Sequence, residues 1–366
     1  MTNNTESPVA ETGVYRVRPL VEIGDERLPI VQTLLSELVL NEAEGGLSSL
    51  EIRLRNSTGV GGSGNGLAFE DEATTHVALG QPVKVFGGDE TDPVELFRGT
   101  ITALEYVHEE GDDPHLIILA EDALQAARMS RRTRLHPAGP LRDLVITVAN
   151  DLGLSPVITE LSDEVDAQMQ VNETDLAFLR RLLGRFDADL QIVGSELHIS
   201  PRREVARGDV TLELNSQLIN VRVLADLAHQ VTKVSFAGWD VASGERLTAD
   251  SNQAADLGVG DGRKGSTFIS ESFGERVEHC GNLAAYDQTE AQALANTLFS
   301  RRARQFVTVT ATALGNPAIR VGTNVRLEGI SPRFANTYYV TEACHRFGLS
   351  EGYQTEFIAE SAYLGV

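Results

Sequence analysis

Cysteine is almost missing from this chain: Cys280 and Cys344 are the only two in 366 residues. That excludes a disulfide scaffold and any four-thiolate metal site, and fits a protein made and kept in a reducing cytosol. Aromatic residues make up 6% of the chain, with Trp239 as the single tryptophan. So thin a supply argues against exposed aromatic platforms for sugars, and Trp239, set in a strand pattern, is expected in the core. No run of about 18 apolar residues occurs, so no helix is expected to span a bilayer. Cations are scarce as well. Thirty-one Lys+Arg face 53 Asp+Glu, a formal charge of −22 at pH 7. Binding to nucleic-acid backbones needs clustered cations, and docking on anionic membranes needs the same, so neither is expected as the main role. The opening residues 1–13 lack a basic flank followed by an apolar stretch, which reads as a disordered lead rather than a signal peptide.

What is present is a globular composition, 42% hydrophobic, long enough for two or three domains. Residues 14–134 read as strands. Leu50-Glu51-Ile52-Arg53-Leu54-Arg55 alternates apolar and charged residues, so one face lies on a core and the other in water. Val14 to Ile23, Leu34 to Leu40, Val83 to Phe86, Leu96 to Tyr106 and Leu116 to Leu119 extend the pattern, separated by Gly/Asp/Pro turns. Six such strands suggest a sandwich or barrel.

Residues 135–204 change period. A helix is predicted after Gly139-Pro140, with Leu141, Leu144, Val145, Val148 and Leu152 on one face and Gly153 at its end. A second follows an Asn172 cap, with Leu176, Leu179, Leu182, Leu183 and Phe186 inward. A hairpin around Gly194-Ser195 completes a small α+β unit. Residues 205–366 return to strands, interrupted by a polar, Gly-rich insertion at about 241–286 and by one helix carrying Ala291, Leu294, Ala295, Leu298 and Phe299. That insertion is expected to be a mobile surface loop, or else a partner-binding one. The fold class is therefore mainly β with an α+β insert, two tube-like β-barrel or sandwich parts flanking the smaller unit.

Motifs for chemistry are weak. Gly59-Val60-Gly61-Gly62-Ser63-Gly64 fits the dinucleotide pattern, but Glu70-Asp71-Glu72 and the absence of a helical stripe after it favour a hairpin loop. Gly260-Asp261-Gly262-Arg263-Lys264-Gly265 matches the pattern yet places Lys264 before Gly265, against P-loop order. His279-Cys280 and Cys344-His345 are strand neighbours pointing to opposite faces, which suits one buried and one exposed member rather than a metal site. The acids at Glu70-Asp71-Glu72 and Glu109-Glu110-Gly111-Asp112-Asp113 sit in turn-like stretches and read as solvated faces. A nucleotide-dependent or hydrolytic enzyme using the Gly-rich loops is one alternative, and a carbohydrate- or receptor-binding component another. Arginine is the basic signal: Arg128, Arg131, Arg132 and Arg134 cluster before the α+β unit, and Arg301, Arg302 and Arg304 end the last helix. Such clusters either offset a helix dipole or pair with acidic neighbours at interfaces between subunits.

Three stretches together resemble the phage late-control D family, baseplate hubs of contractile tails, and also the hub part of type VI and extracellular injection-system spikes. They are Asn172-Glu173-Thr174-Asp175-Leu176-Ala177-Phe178-Leu179-Arg180-Arg181-Leu182 with Gly194-Ser195-Glu196-Leu197; Thr289-Glu290-Ala291-Gln292-Ala293-Leu294-Ala295; and Gly322-Thr323-Asn324-Val325-Arg326-Leu327, Tyr338-Tyr339-Val340-Thr341, His345 and Gly352-Tyr353-Gln354-Thr355. Their order and spacing cover about residues 14 to 362.

The resemblance implies a non-enzymatic homotrimer whose two β parts alternate into a pseudo-sixfold ring. That ring would join a separate spike protein to an inner tube or tube initiator, with wedge proteins and cargo as further contacts. It implies no cofactor, no catalytic residue and no metal, and a structural role for His345. It also implies assembly in the cytoplasm, then a place in a tail or injection particle. Because relatives that continue into a spike run longer, the spike is expected to be a separate chain.

Overall fold

Alternating side chains become strands whose inward residues share a core: in Ser49–Arg55, Leu50, Ile52 and Leu54 are buried while Glu51 stays in water. The computed structural model describes residues 18–57, 66–88, 92–240, 243–252, 257–281 and 284–365. It is mainly β, built on one curled, half-barrel sheet of twelve strands. Across the main path the order is Leu20–Ile23, Pro82–Gly88, Pro93–Val107, His115–Glu121, Ser49–Arg55, Leu35–Ala43, Thr337–Gly348, Gly352–Ser361, Val307–Leu314 and Leu218–Ala225. Asn324–Glu328 branches from Thr337–Gly348 and takes Asp209–Glu213 alongside it in parallel.

No sequence period announces the seam between the two halves of the sheet. Leu35–Ala43 pairs antiparallel with Thr337–Gly348, Asn41 opposite Cys344, so the first and last parts of the chain share one ladder. Each half keeps a core, one around Leu38, Ile52 and Val85 and the other around Val309, Tyr338 and Phe357. The opposite face is open to solvent. In register across it lie Glu37, Glu51, Glu105, Glu121, Glu342 and Glu356 against Arg53, Arg55, Arg222 and Arg346, a weakly acidic surface.

The central unit has its own core from helices Leu141–Asp151 and Asp175–Leu183, with Leu144, Val148, Phe178 and Leu182 packed on Leu190, Leu197 and Ile199. The predicted hairpin is present as Ala188–Val193 and Glu196–Pro201, with Ser155–Ile158 added in parallel. The cap of the second helix differs from expectation. Thr174, not Asn172, holds it, its hydroxyl accepting a hydrogen bond from the Ala177 N–H at 3.2 Å. Extended backbone of Gln168–Thr174 runs up to the cap, and Asn172 sits within that strand at φ 45°.

The polar stretch at 241–286 also departs from the mobile-loop expectation. Its described residues form strand Glu245–Ser251, helix Gly265–Phe273 and strand Val277–Cys280. Two of these flank Lys233–Asp240 in a three-stranded sheet. Its apolar residues Leu247, Ala249 and Cys280 are too few to show as a pattern, yet they are enough to seat helix Gln288–Arg304 through Ala291, Leu294 and Ala295. In the strand expected from Val14, Leu20–Ile23 is described as strand and residues 14–17 fall outside the described set.

Candidate assembly interface

Helix Gln288–Arg304 begins with a reciprocal cap. Asp287 accepts from the Glu290 N–H at 2.8 Å and Glu290 accepts from the Tyr286 N–H at 2.6 Å. From there the helix runs between the three-stranded sheet and the central unit. Thr297 donates to the Arg185 carbonyl at 3.1 Å, and Arg301 to the Gly184 carbonyl at 2.7 Å. Arg302 makes a two-pronged pair with Glu278, both bonds 2.8 Å. Arg304, 8% exposed, makes another with Asp187 at 2.7 Å through each nitrogen, and lies 3.5 Å from Glu360 of the large sheet.

Around Arg304 a buried network joins three elements. Arg202, following the central hairpin, pairs with Glu360 at 2.6 Å and Glu44 at 3.0 Å, and its guanidinium lies 4.0 Å over the Tyr339 ring. Arg180 donates to the carbonyls of Gly45 and Gly46, both at 2.7 Å, while Asp189 accepts from the Gly45 N–H at 2.7 Å. Burial raises the Glu44 carboxyl to about 7; Arg202 opposes the shift, and Asp189 and Glu360 reinforce it. Asp187 is half-buried, and desolvation pushes its carboxyl up, yet the bonds to Arg304 with the charges of Arg202 and Arg301 outweigh this and hold it below the usual range. Nearby, Glu42 and Arg320 form a second buried pair. Burial pushes the Glu42 carboxyl up, but the Arg320 charge outweighs this and the carboxyl titrates low.

The other arginine cluster is shallow. Arg128 pairs with Glu121 at 2.5 Å, Arg131 donates to the Asn172 carbonyl at 2.8 Å, Arg132 pairs with Asp175 at 3.1 Å and Arg134 with Asp151. Arg131, Arg132 and Arg134 lie on the two-stranded ribbon Arg131–His136 with Gln168–Thr174. Every one of the seven arginines singled out from the sequence therefore has a bond within the chain. Sequence reasoning missed Arg180, Arg202, Arg207 and Arg320, which carry much of the network, Arg207 donating to the Val321 carbonyl at 2.8 Å and lying 3.9 Å from Asp189; each meets partners more than 100 residues away, which no local pattern records.

The remaining motifs resolve on packing. Gly260 to Gly265 lead into helix Gly265–Phe273, but a Cβ on Gly262 would lie 2.0 Å from the Leu364 carbonyl oxygen and one on Gly265 2.3 Å from Gln230 Oε1. These glycines admit the chain's own atoms where a dinucleotide site would need open space. The Gly59–Gly64 stretch lies outside the described residues. Cys280 and His345 are buried while His279 is exposed and Cys344 half-buried, as strand alternation predicts. No group of three or more His, Cys, Asp or Glu among the described residues could hold a metal ion. His345 Nδ1 lies 2.8 Å from the Tyr353 hydroxyl and 3.3 Å from that of Thr355, so the closing-strand motif converges on one buried cluster. Burial lowers the His345 pKa to about 4, which keeps the ring neutral. Trp239 departs from the core expectation. It is 60% exposed, because the residues of Lys233–Asp240 that point inward are Val234 and Phe236.

Three strands of the sheet have one ladder partner among the described residues: the branch strand Asp209–Glu213 and, at the two ends of the main path, Leu20–Ile23 and Leu218–Ala225, the latter with Ile219 and Leu224 exposed. Unpaired edges of this length invite pairing with another chain. The sequence model of the family described as the Alg8 N-terminal domain matches residues 60–348. The chain belongs to this family. No curated protein matches the sequence of this Alg8 N-terminal domain member.

Solved structures show its fold. The 43 kDa tail protein of prophage MuSo2 from Shewanella oneidensis superimposes with a TM-score of 0.68 at 12% identity, over 93% of this chain and 97% of that one. A tail protein from Neisseria meningitidis MC58 gives 0.63 at 11% identity, over 94% and 98%. The E. coli c3393 protein, a component of the type VI secretion system, gives 0.58 at 10% identity, over 94% and 78%. The fold is that of phage tail and type VI proteins, the fold implied by the resemblance to the late-control D family.

Proposed function

We propose that the chain is a non-enzymatic structural hub of a contractile tail or injection system. It works as a homotrimer that joins a separate spike protein to the inner tube or its initiator. The observation that carries this reading is the open, curled sheet built from both outer parts of the chain and ending in unpaired edge strands. Cyclic assembly closes such edges without leaving new ones. Residues 14–134 and 205–366, flanking 135–204, are the two parts that alternate around the ring. The E. coli relative of this fold is described as structurally similar to T4 tail proteins gp27 and gp5, which supports the same reading.

The weakly acidic face of the sheet is the proposed channel wall, where like charge keeps acidic cargo from adhering. The ribbon arginines, Arg131 and Arg132 foremost, are the proposed contacts between subunits, in line with arginine's enrichment at interfaces. Light scattering at high concentration, alone and with the spike, is expected to give three times the chain mass, with rings in negative stain. A strict monomer under both conditions overturns the proposal. The double reversal Arg131→Glu/Arg132→Glu is expected to weaken the trimer, and an unchanged assembly removes these residues from the contact.

A further inference from the structure

A surface cleft of about 390 Å3 lies between the three-stranded sheet and the central unit. Trp239 and Tyr286 line it, together with Asp166, Asp240, Glu290 and Arg185. Its volume falls within the range of about 300–1,000 Å3 typical of sites that enclose a ligand group. Both rings are more than half exposed, Trp239 at 60% and Tyr286 at 53%. In a chain with so few aromatics, two large rings in water at one concavity require an explanation that core packing does not give. The only cation in the lining is already engaged, since Arg185 lies 2.6 Å from Glu290 and donates to the Ala284 carbonyl at 2.6 Å.

We infer that this cleft binds a basic segment of a protein partner, taking an arginine or lysine side chain against Trp239 and Tyr286 with Asp166 and Asp240 at the rim. The rings supply negative π faces, of which indole is the strongest, and the carboxylates outnumber the guanidinium three to one. The chain's net charge of −22 steers a basic segment toward it and an acidic one away. Tyr and Trp beside a concavity are also the residue types that anchor protein interfaces. The inference does not depend on trimer formation. A monomeric chain would bind equally well, so failure here and failure of the hub reading are separate results.

Trp239 is the chain's single tryptophan, so its fluorescence reports the site directly. The test titrates the full chain at low salt with a blocked Gly/Arg pentapeptide, with its Gly/Glu counterpart, and with a neutral hexasaccharide. The expected result is a saturable change in Trp239 emission with the arginine peptide alone, weakened at about 0.5 M salt, where charges are screened beyond about 3–5 Å. Tyr286→Ala, an exposed change that keeps the reporter, is expected to reduce affinity about tenfold, the size of one cation–π contact. Asp166→Asn is expected to reduce it less and to flatten the salt dependence. A saturable response to the hexasaccharide alone, or equal responses to both peptides, overturns the basic partner. No saturable response to any probe overturns the site.

Discussion

Arg128, Arg131, Arg132 and Arg134 sit on and beside an exposed ribbon, whereas Arg301, Arg302 and Arg304 close a helix that runs between the three-stranded sheet and the central unit. In sequence the two clusters are indistinguishable, short runs of arginine near an element's end. In the fold, Arg128 meets Glu121 seven residues away with its side chain 43% exposed, while Arg304 meets Asp187 117 residues away with its side chain 8% exposed. A surface pair contributes little because water already solvates both ions, so the ribbon is free for contacts outside the chain. A buried pair is costly to break, because the ion left behind has lost its hydration. The same residue type is therefore an internal cross-link in one place and a candidate contact in the other.

The largest effect is expected from Arg304→Ala, which strands Asp187 and Glu360 with diminished compensation. Urea unfolding should show a loss of about 3–5 kcal/mol. A loss under 1 kcal/mol would erase the contrast between the clusters.

A pH series sharpens the contrast further. Glu44 belongs to the buried network and titrates near 7 when folded against an ordinary 4.5. The folded chain thus holds this proton more tightly than the unfolded chain, and stability from this group falls as pH rises from about 4.5 to about 7, then levels off. Glu44→Gln is expected to remove that slope and to be better tolerated at pH 8 than at pH 5. With the side chain 31% exposed, the difference should be about 1 kcal/mol. A variant equally costly at both values would mean that Arg202 fully compensates the charge.

The shallow cluster gives the smallest effect. A double-mutant cycle on Arg128→Ala and Glu121→Ala should return a coupling of about 0.2–1 kcal/mol, shrinking with salt. Coupling above 2 kcal/mol would move this pair into the class of Arg304.

The strands were legible because one face of each lies on a core, and period-two alternation such as Leu50, Ile52 and Leu54 records that directly. Helix Gln288–Arg304 was legible for the matching reason at a period of 3.6. The strands of the polar stretch at 241–286 are not legible in this way: Glu245–Ser251 alternates, but its buried positions are Leu247, Ala249 and Ser251, so small and polar residues stand where a strand signal needs large apolar ones. The burial of Trp239 is not legible from its side-chain type, which gives burial only as a tendency, and alternation in Lys233–Asp240 places it with the outward residues.

The sequence by itself determined the mainly β class, the helical periods of Leu141–Asp151 and Asp175–Leu183, the acidity of −22 and the arginine-rich cation set, in which lysine occurs only at Lys84, Lys233 and Lys264. These follow from composition and local period, properties each segment carries alone. Only the tertiary structure decided that Leu35–Ala43 would pair with Thr337–Gly348, that Arg304 would reach Asp187 and Glu360, and that Trp239 and Tyr286 would line one cleft. Those contacts join residues tens to hundreds of positions apart, and their energies depend on the water removed when the elements meet.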